Sequence, residues 1–395
     1  MTGVPPIDRD KVRAWLRDMI SIDSVNPTLV SGGAGEGAMA RYLAGVCRDI
    51  GLEATVEGPS PDRPNIVATL RGSRPSRRQN LLLNGHLDTV GVGGMRDPLV
   101  AMERNGRVYG RGALDMKGGL AAILGAMEAL SRSGLNLEGD VIFGGTSDEE
   151  HSSVGAQYLA PRVEAGAAVI TEATGMRICV AHKGFAWVRV ETRGRAAHGS
   201  RPSDGVDAIA HMGRFLTRLE GLAAREFPRR GHPLLGPPSL HASTVSGGAE
   251  LSTYPDRCVL MYEMRTVPGE TAETVLTECG GIIDSLSRED PSFKADFQVT
   301  VFRPPYEVNP GSRLVRLLGE SFTRATGRPP ATTGMACWLD SAIFGGAGIP
   351  SVIFGPGGEG AHADEEYVNV EDVLTVAGTL ADLAVLFCGG ADGDV

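Results

Sequence analysis

Apolar residues recur at helical spacing twice near the start of the chain. Val12, Trp15, Leu16, Met19 and Ile20 line one face of residues 7–20, and Met39, Tyr42, Leu43, Val46 and Cys47 one face of residues 37–50. SVNPT at 24–28 breaks the first of these helices. EATVE and NIVATL then read as strands. The triple leucine at 81–83 reads as a strand buried on both faces, expected to stop at Asn84 and Gly85, where the chain can turn. An apolar, alanine-rich helix is predicted over 116–130, and DVIFGGT and AAVIT are further buried strands. Strand and helix alternate, which predicts an α/β domain: a mixed sheet flanked by helices.

From Gly184 the texture changes. GFAWVRVETRG alternates as a strand with one solvated face does, VDAIAHMGRFLTRLEGL is an amphipathic helix, and LHASTVSGG and RCVLMYEMRTV are strands. ETAETVLTECGGIIDSL is a second helix and DFQVTVF a last strand. The order β-α-β-β-α-β predicts a ferredoxin-like α+β unit inserted at 184–302. A helix at 313–325, a strand in PSVIF and a final helix at 370–387 return to the first domain. The expected division is therefore 1–183 with 303–395 for one domain and 184–302 for the other, and 395 residues exceed one ordinary core.

The polar residues that matter chemically stand where buried strands end. His86 and Asp88 follow the leucine strand; two residues apart in extended chain, they point the same way, at the edge where open α/β sheets bind ligands. Asp88 can orient His86 through its second ring nitrogen. Asp115 lies at a helix mouth, either as an N-cap or as a carboxylate held rigidly toward a site. Asp148, Glu149 and Glu150 follow one strand, Glu172 follows the next, and His362 lies in GPGGEGAHADEEYV. No cationic residue stands nearby in sequence to neutralise Asp148, Glu149, Glu150 and Glu172, so a bound cation is the economical explanation. Imidazoles and carboxylates without a thiolate suit zinc, cobalt or manganese, and five donors from separate segments suffice for a pair of ions about 3.5–4 Å apart.

Composition narrows the class without naming the substrate. A net charge of −10 with acids and bases interspersed argues against a nucleic-acid surface. No apolar run has the length of a signal-peptide core or a membrane span, so a cytoplasmic protein with no membrane partner is expected. The six cysteines lie far apart with no C-x-x-C pair and are expected to be unpaired thiols.

SVNP, GHLDTV, GRGALDMKGG, TSDEE, the acid after VIT, AAHGSRP, MRTVPGE and FGPGG followed by AHADEEYV occur in this order. In these motifs the chain resembles, nearly end to end, the dinuclear zinc amidohydrolase and peptidase family. That family includes acetylornithine deacetylase, succinyl-diaminopimelate desuccinylase, bacterial glutamate carboxypeptidase and aminoacylase. The resemblance implies a zinc-exopeptidase-like catalytic domain with an inserted lid and dimerisation domain. It implies that His86, Asp115 and Glu172 hold one divalent metal ion and Asp115, Glu150 and His362 a second, that Asp88 orients His86, and that the Asp115–Met116 peptide is cis. Two ions per chain, zinc first and cobalt or manganese next, would activate water, with Glu149 as the general base that moves its proton to the leaving nitrogen.

The resemblance also implies roles in the inserted domain. His198 would stabilise the oxyanion in the site of a partner subunit, which requires a homodimer through that domain. Arg265 would grip a substrate carboxylate, as a guanidinium fork suits. The substrate expected is an N-acyl amino acid or a short peptide with a free carboxyl end. Deacylation is the leading reading, a dipeptidase or carboxypeptidase the next, and a carbamoyl or ureido amidohydrolase shares the same metals. A binding protein that had lost catalysis would lack a ligand or the base, and none is missing. Two departures fall in loops expected to touch substrate: Ser252 stands where relatives carry asparagine, and bulky Trp338 and Leu339 precede Asp340 where relatives carry small residues.

Overall fold

The computed structural model describes residues 3–389. The chain forms two compact units. One comprises the chain up to Val180, Val308–Thr333 and the segment from Leu339 onward; the other comprises Ala181–Glu307 and Gly334–Trp338. The second unit is thus slightly longer than 184–302 and recruits a distant segment. Lys183 N–H donates to the Met335 carbonyl at 3.1 Å, and the Trp338 ring meets His182 edge-on with centroids 6.3 Å apart.

The first unit is built on a mixed sheet of β1 (Glu53–Ser60), β2 (Arg63–Leu70), β3 (Leu81–His86), β4 (Val141–Thr146), β5 (Ala167–Ile170), β6 (Ile178–His182) and β7 (Ser351–Ile353). Its order is β1-β2-β4-β3-β5-β7-β6. The inner pairs β4/β3, β3/β5 and β5/β7 are parallel, and the outer pairs are antiparallel. Every residue of β3, β4 and β5 is buried, as expected of strands covered by helices on both faces. These three parallel neighbours end side by side, so the segments leaving them deliver His86, Glu149, Glu150 and Glu172 to one edge.

Two local readings change. β3 does not stop at Asn84 and Gly85 but runs on through His86. Asn84 Nδ2 donates to the Gly144 carbonyl on the neighbouring strand at 2.8 Å, so its amide is spent inside the sheet. A Cβ on Gly85 would meet the ends of the Leu120 and Met116 side chains at 2.8 Å, so glycine lets both pack against the strand. The predicted helix starts at Gly118, not at 116, and runs to Ser133. Asp115 (φ −118°, ψ 90°) and Met116 (φ −133°, ψ 37°) precede it in non-helical conformation, joined by a cis peptide as the resemblance implies. Asp115 is therefore not the N-cap. The helix buries thirteen consecutive residues from Gly118 to Leu130, which fits its apolar, alanine-rich sequence. A Cβ on Gly119 would lie 2.1 Å from the Thr171 carbonyl oxygen, so glycine lets this helix start abut the chain next to Glu172.

The second unit is a four-stranded antiparallel sheet in the order Ser239–Gly247, Arg257–Thr266, Gly184–Arg193, Lys294–Arg303. With helices Ala208–Glu226 and Ala272–Glu289 this is the ferredoxin-like arrangement. Asp207 caps the first helix by accepting from Ala210 N–H, and Thr271 and Thr274 form a capping box at the second. Val188, Val190, Leu260 and Tyr262 alternate inward against Phe215 and Ile282 to make the core. Five of the six cysteines are buried, Cys337 is exposed, and none of the six is in a disulfide. Among the described residues no helix is long and apolar enough to cross a membrane.

Candidate metal centre

His86 is buried at the end of β3 with its two ring nitrogens committed to different directions. Nδ1 lies 3.0 Å from the Asp88 carbonyl oxygen and 3.5 Å from Asp88 Oδ1. Nε2 lies 2.9 Å from Asp115 Oδ1 and 3.5 Å from Glu172 Oε1. A neutral imidazole that donates from Nδ1 to a carbonyl presents a lone pair at Nε2. That lone pair faces two carboxylates. His362 repeats the arrangement, with Nε2 3.1 Å from Asp115 Oδ2 and 3.2 Å from Glu150 Oε2. Donor atoms of His86, Asp115 and Glu172 all lie within 4.8 Å of one another, as do those of Asp115, Glu150 and His362.

Asp115 thus belongs to both groups, one oxygen turned to each histidine. The electrostatics of the chain alone are unbalanced. Burial opposes charge on His86, but Glu172, Asp115 and Asp88 outweigh it and raise the imidazole well above its usual range. Asp115 and Glu150 raise His362 to about 10. Burial pushes Glu172 up to about 8, with Asp115, Glu150 and Asp340 adding repulsion, and raises Glu149 well above the carboxylate range. Glu150 Oε1 is buried with no hydrogen-bond partner. Acids that hold protons, imidazoles that hold charge and an orphaned carboxylate oxygen in one cluster are relieved together by divalent cations, so these residues fit them.

Asp88 does more than face His86. Its carboxylate accepts from Asn26 Nδ2 at 2.8 Å and from the backbone N–H groups of Glu149 and Glu150 at 3.1 and 3.2 Å. It therefore fixes the acid loop, while its carbonyl makes the nearer contact to the imidazole. Asn26 also donates to Asp148 Oδ1 at 2.9 Å, and Arg63 ties Glu36 at 2.8 Å to Asn26 Oδ1 at 3.1 Å. This buried network was not read from the sequence, where SVNP stood as a helix break and as one of the resembling motifs, with no role given to Asn26. Asp148, in the left-handed region at φ 66°, turns the loop so that Glu149 and Glu150 follow at the sheet edge.

Glu149 is half-buried, and among the described residues none hydrogen-bonds its carboxylate. Asp340 is buried in the same unit, with Thr146 Oγ1 at 3.5 Å, and close enough to Glu149 and Glu172 to repel both. It sits beside the acids and not on an open loop. In the second unit, His198 lies on an exposed loop with Nδ1 2.8 Å from Ser200 Oγ. The Ser252 carbonyl accepts from Gly199 N–H at 2.7 Å, which puts Ser252 against the same loop. Arg265 donates from Nε to Glu263 Oε1 at 2.7 Å, with its guanidinium 5.3 Å from the Phe185 ring centroid.

Two overlapping imidazole–carboxylate groups at the end of a parallel sheet core form a candidate centre for divalent cations, the class of site that metal-dependent hydrolases use. The model of peptidase family M20/M25/M40 matches residues 82–385, and the chain belongs to that family. It is 34% identical over 340 residues to an acetylornithine deacetylase of Myxococcus xanthus, covering 83% of this chain and 85% of that protein. It is 26% identical over 378 residues to the N-formyl-4-amino-5-aminomethyl-2-methylpyrimidine deformylase of Bacillus subtilis strain 168, covering 88% of each. The crystal structure of aminopeptidase PepT from Bacillus cereus ATCC 10987 shares the fold, with a TM-score of 0.78 at 21% identity over 95% of this chain and 98% of that one.

Proposed function

We propose that this chain removes the acyl group from an N-acyl amino acid, as an acetylornithine deacetylase or succinyl-diaminopimelate desuccinylase does. The observation that carries the reading is the convergence of two three-residue donor groups on the shared carboxylate of Asp115. Similarity to an acetylornithine deacetylase at 34% identity favours an acyl amino acid over a peptide. His86, Asp115 and Glu172 would hold one cation and Asp115, Glu150 and His362 the other, with zinc favoured by the nitrogen and oxygen donors. Two such cations supply a polarised amide carbonyl and water that ionises near pH 7. Glu149 accepts a proton at its carboxylate and returns it to the leaving nitrogen. Asp88 holds the Glu149 and Glu150 amides in place, and Asp340 lies beside the acids. Arg265 binds the substrate carboxylate, and Ser252 and Asp340 adjust which acyl amino acid is taken.

The test is hydrolysis by zinc-reconstituted protein of N-acetyl, N-formyl and N-succinyl amino acids beside dipeptides and N-carbamoyl amino acids. The expected result is that an N-acyl amino acid is the best substrate by kcat/KM. Protein that binds two metals per chain and turns over none of the N-acyl compounds defeats the reading.

In the same proposal residues 184–302 serve as a lid and dimerisation domain, and the protein works in the cytoplasm, where free thiols persist. Ser239–Gly247 supports a homodimer, because it is an edge strand exposed along nearly its whole length, with Val245 59% exposed. Light scattering should give twice the mass of one chain, and Val245→Lys should shift the protein toward monomer. His198 acts on the site of the second copy, so the monomeric variant should lose kcat while keeping its metal. A native protein that is monomeric and fully active excludes this role for His198.

A further inference from the structure

The acidic run at the end of the His362 loop contains a residue that is not solvated at all. Glu366 is 1% exposed and Arg111, opposite it, 2%. Arg111 Nη1 donates to Glu366 Oε2 at 2.7 Å. The same carboxylate accepts from Gly112 N–H at 3.0 Å, Leu114 N–H at 2.8 Å and Asp115 N–H at 3.0 Å. One carboxylate therefore gathers the turn that ends in the shared aspartate, including that residue's own amide. Arg111 reaches the other way, its Nη2 donating to the Ala363 carbonyl, next to His362, at 2.9 Å.

The His362 loop has little else of its own to fix it. Residues 361–365 are exposed, and His362 adopts φ 64°, a left-handed conformation rare outside glycine. Apart from His362 itself, whose Nε2 faces Asp115 and Glu150, its other side-chain ties, Gly94 N–H to Asp364 Oδ1 at 2.9 Å and Arg104 to Glu365 at 3.4 Å, lie in solvent. The strand Tyr367–Asn369 pairs with Arg107–Tyr109, which brings the two segments into register, and the buried ion pair fills the space between their ends. A buried ion pair is a poor device for stability alone, and here Arg111 Nε is left buried without a partner.

We propose that Arg111 and Glu366 are positioning residues, a buried clamp that fixes the Asp115 turn and the His362 loop relative to each other so that Asp115 and His362 can share a cation. The inference rests on the metal-centre reading above, and its test separates the two. Metal-free protein is titrated with cobalt(II), followed by calorimetry and by the visible d–d spectrum. The native chain should take up two equivalents. Glu366→Gln should keep the first and bind the second about 10–100-fold more weakly, with altered d–d bands, the usual size of an effect transmitted through a ligand's support. Arg111→Lys keeps the charge but cannot span both Glu366 and Ala363, so it should weaken the second equivalent in the same direction. It also carries the test if Glu366→Gln does not fold, with far-UV circular dichroism and cooperative unfolding as the check. Weakening that includes the second equivalent supports the clamp. Folded variants with native second-equivalent affinity and spectrum overturn it, and a native chain that takes up no cobalt overturns the metal-centre reading together with it.

Discussion

Glu149→Ala lowers kcat by about 10²–10⁴-fold, the range expected when a positioned acid–base group is removed, while two metals per chain remain bound and KM changes little. The expectation follows from what surrounds the side chain. Its backbone is fixed by the Asp88 carboxylate, its neighbour Glu150 is turned to His362, and its own carboxylate accepts no hydrogen bond among the described residues. It is the acid at this edge that is free to exchange a proton. In the metal-free chain burial and the nearby charges of Asp340, Glu172 and Glu150 raise its pKa well above the carboxylate range, although His86 opposes them, and divalent cations beside it would offset that repulsion. Glu149→Gln should be as slow as the alanine variant, because the loss is of a proton carrier and not of volume. Metal content by plasma emission spectroscopy, measured beside steady-state kinetics, decides the assignment. An alanine variant that loses metal makes Glu149 a ligand, and one with native kcat removes it from catalysis.

The sheet was legible because its central strands are buried on both faces and so read as unbroken apolar runs. His86, Glu150 and Glu172 stood out because they come at or just after the ends of those runs, whereas Asp115 stood out at a helix mouth and His362 in a glycine-rich loop. What escaped the sequence depends on partners far away along the chain. Gly85 looks like a turn residue until the Leu120 and Met116 side chains are placed against it. Asp115 looks like a helix cap because the helix pattern reaches back to 116, and only the non-helical geometry at Asp115 and Met116 moves the helix start to Gly118. Asn26 lies in a motif read as a helix break, yet its amide bridges the carboxylates of Asp88 and Asp148, 62 and 122 residues away in the chain. Glu366 sits in an acidic run, a pattern that ordinarily means a solvated surface. Asn26 and Glu366 are polar groups satisfied, and Gly85 a backbone position packed, by residues far away along the chain, which local periodicity does not encode.

Asp115→Asn should have the largest effect of any single substitution in the centre, because it alone serves both donor groups. Its Oδ1 faces His86 and its Oδ2 faces His362, at 2.9 and 3.1 Å. Without that charge each group is left with one imidazole and one carboxylate, too few for a tight site for a four-coordinate cation. Metal content should fall from two per chain to one or none after dialysis, and kcat/KM should fall further than in Glu149→Ala, which spares the metals. Glu172→Gln is the control, since it belongs to one group only and should cost one metal. Misfolding is separable from ligand loss. Asp115 contributes to the repulsion that raises Glu150 and Glu172, so its neutralisation relieves part of that strain in the metal-free chain even as it weakens the hold on both histidines. The metal-free variant should therefore still unfold cooperatively in urea. If Asp115→Asn is folded and retains two tightly held metals, the two groups do not depend on a shared carboxylate, and the bridging role of Asp115 fails.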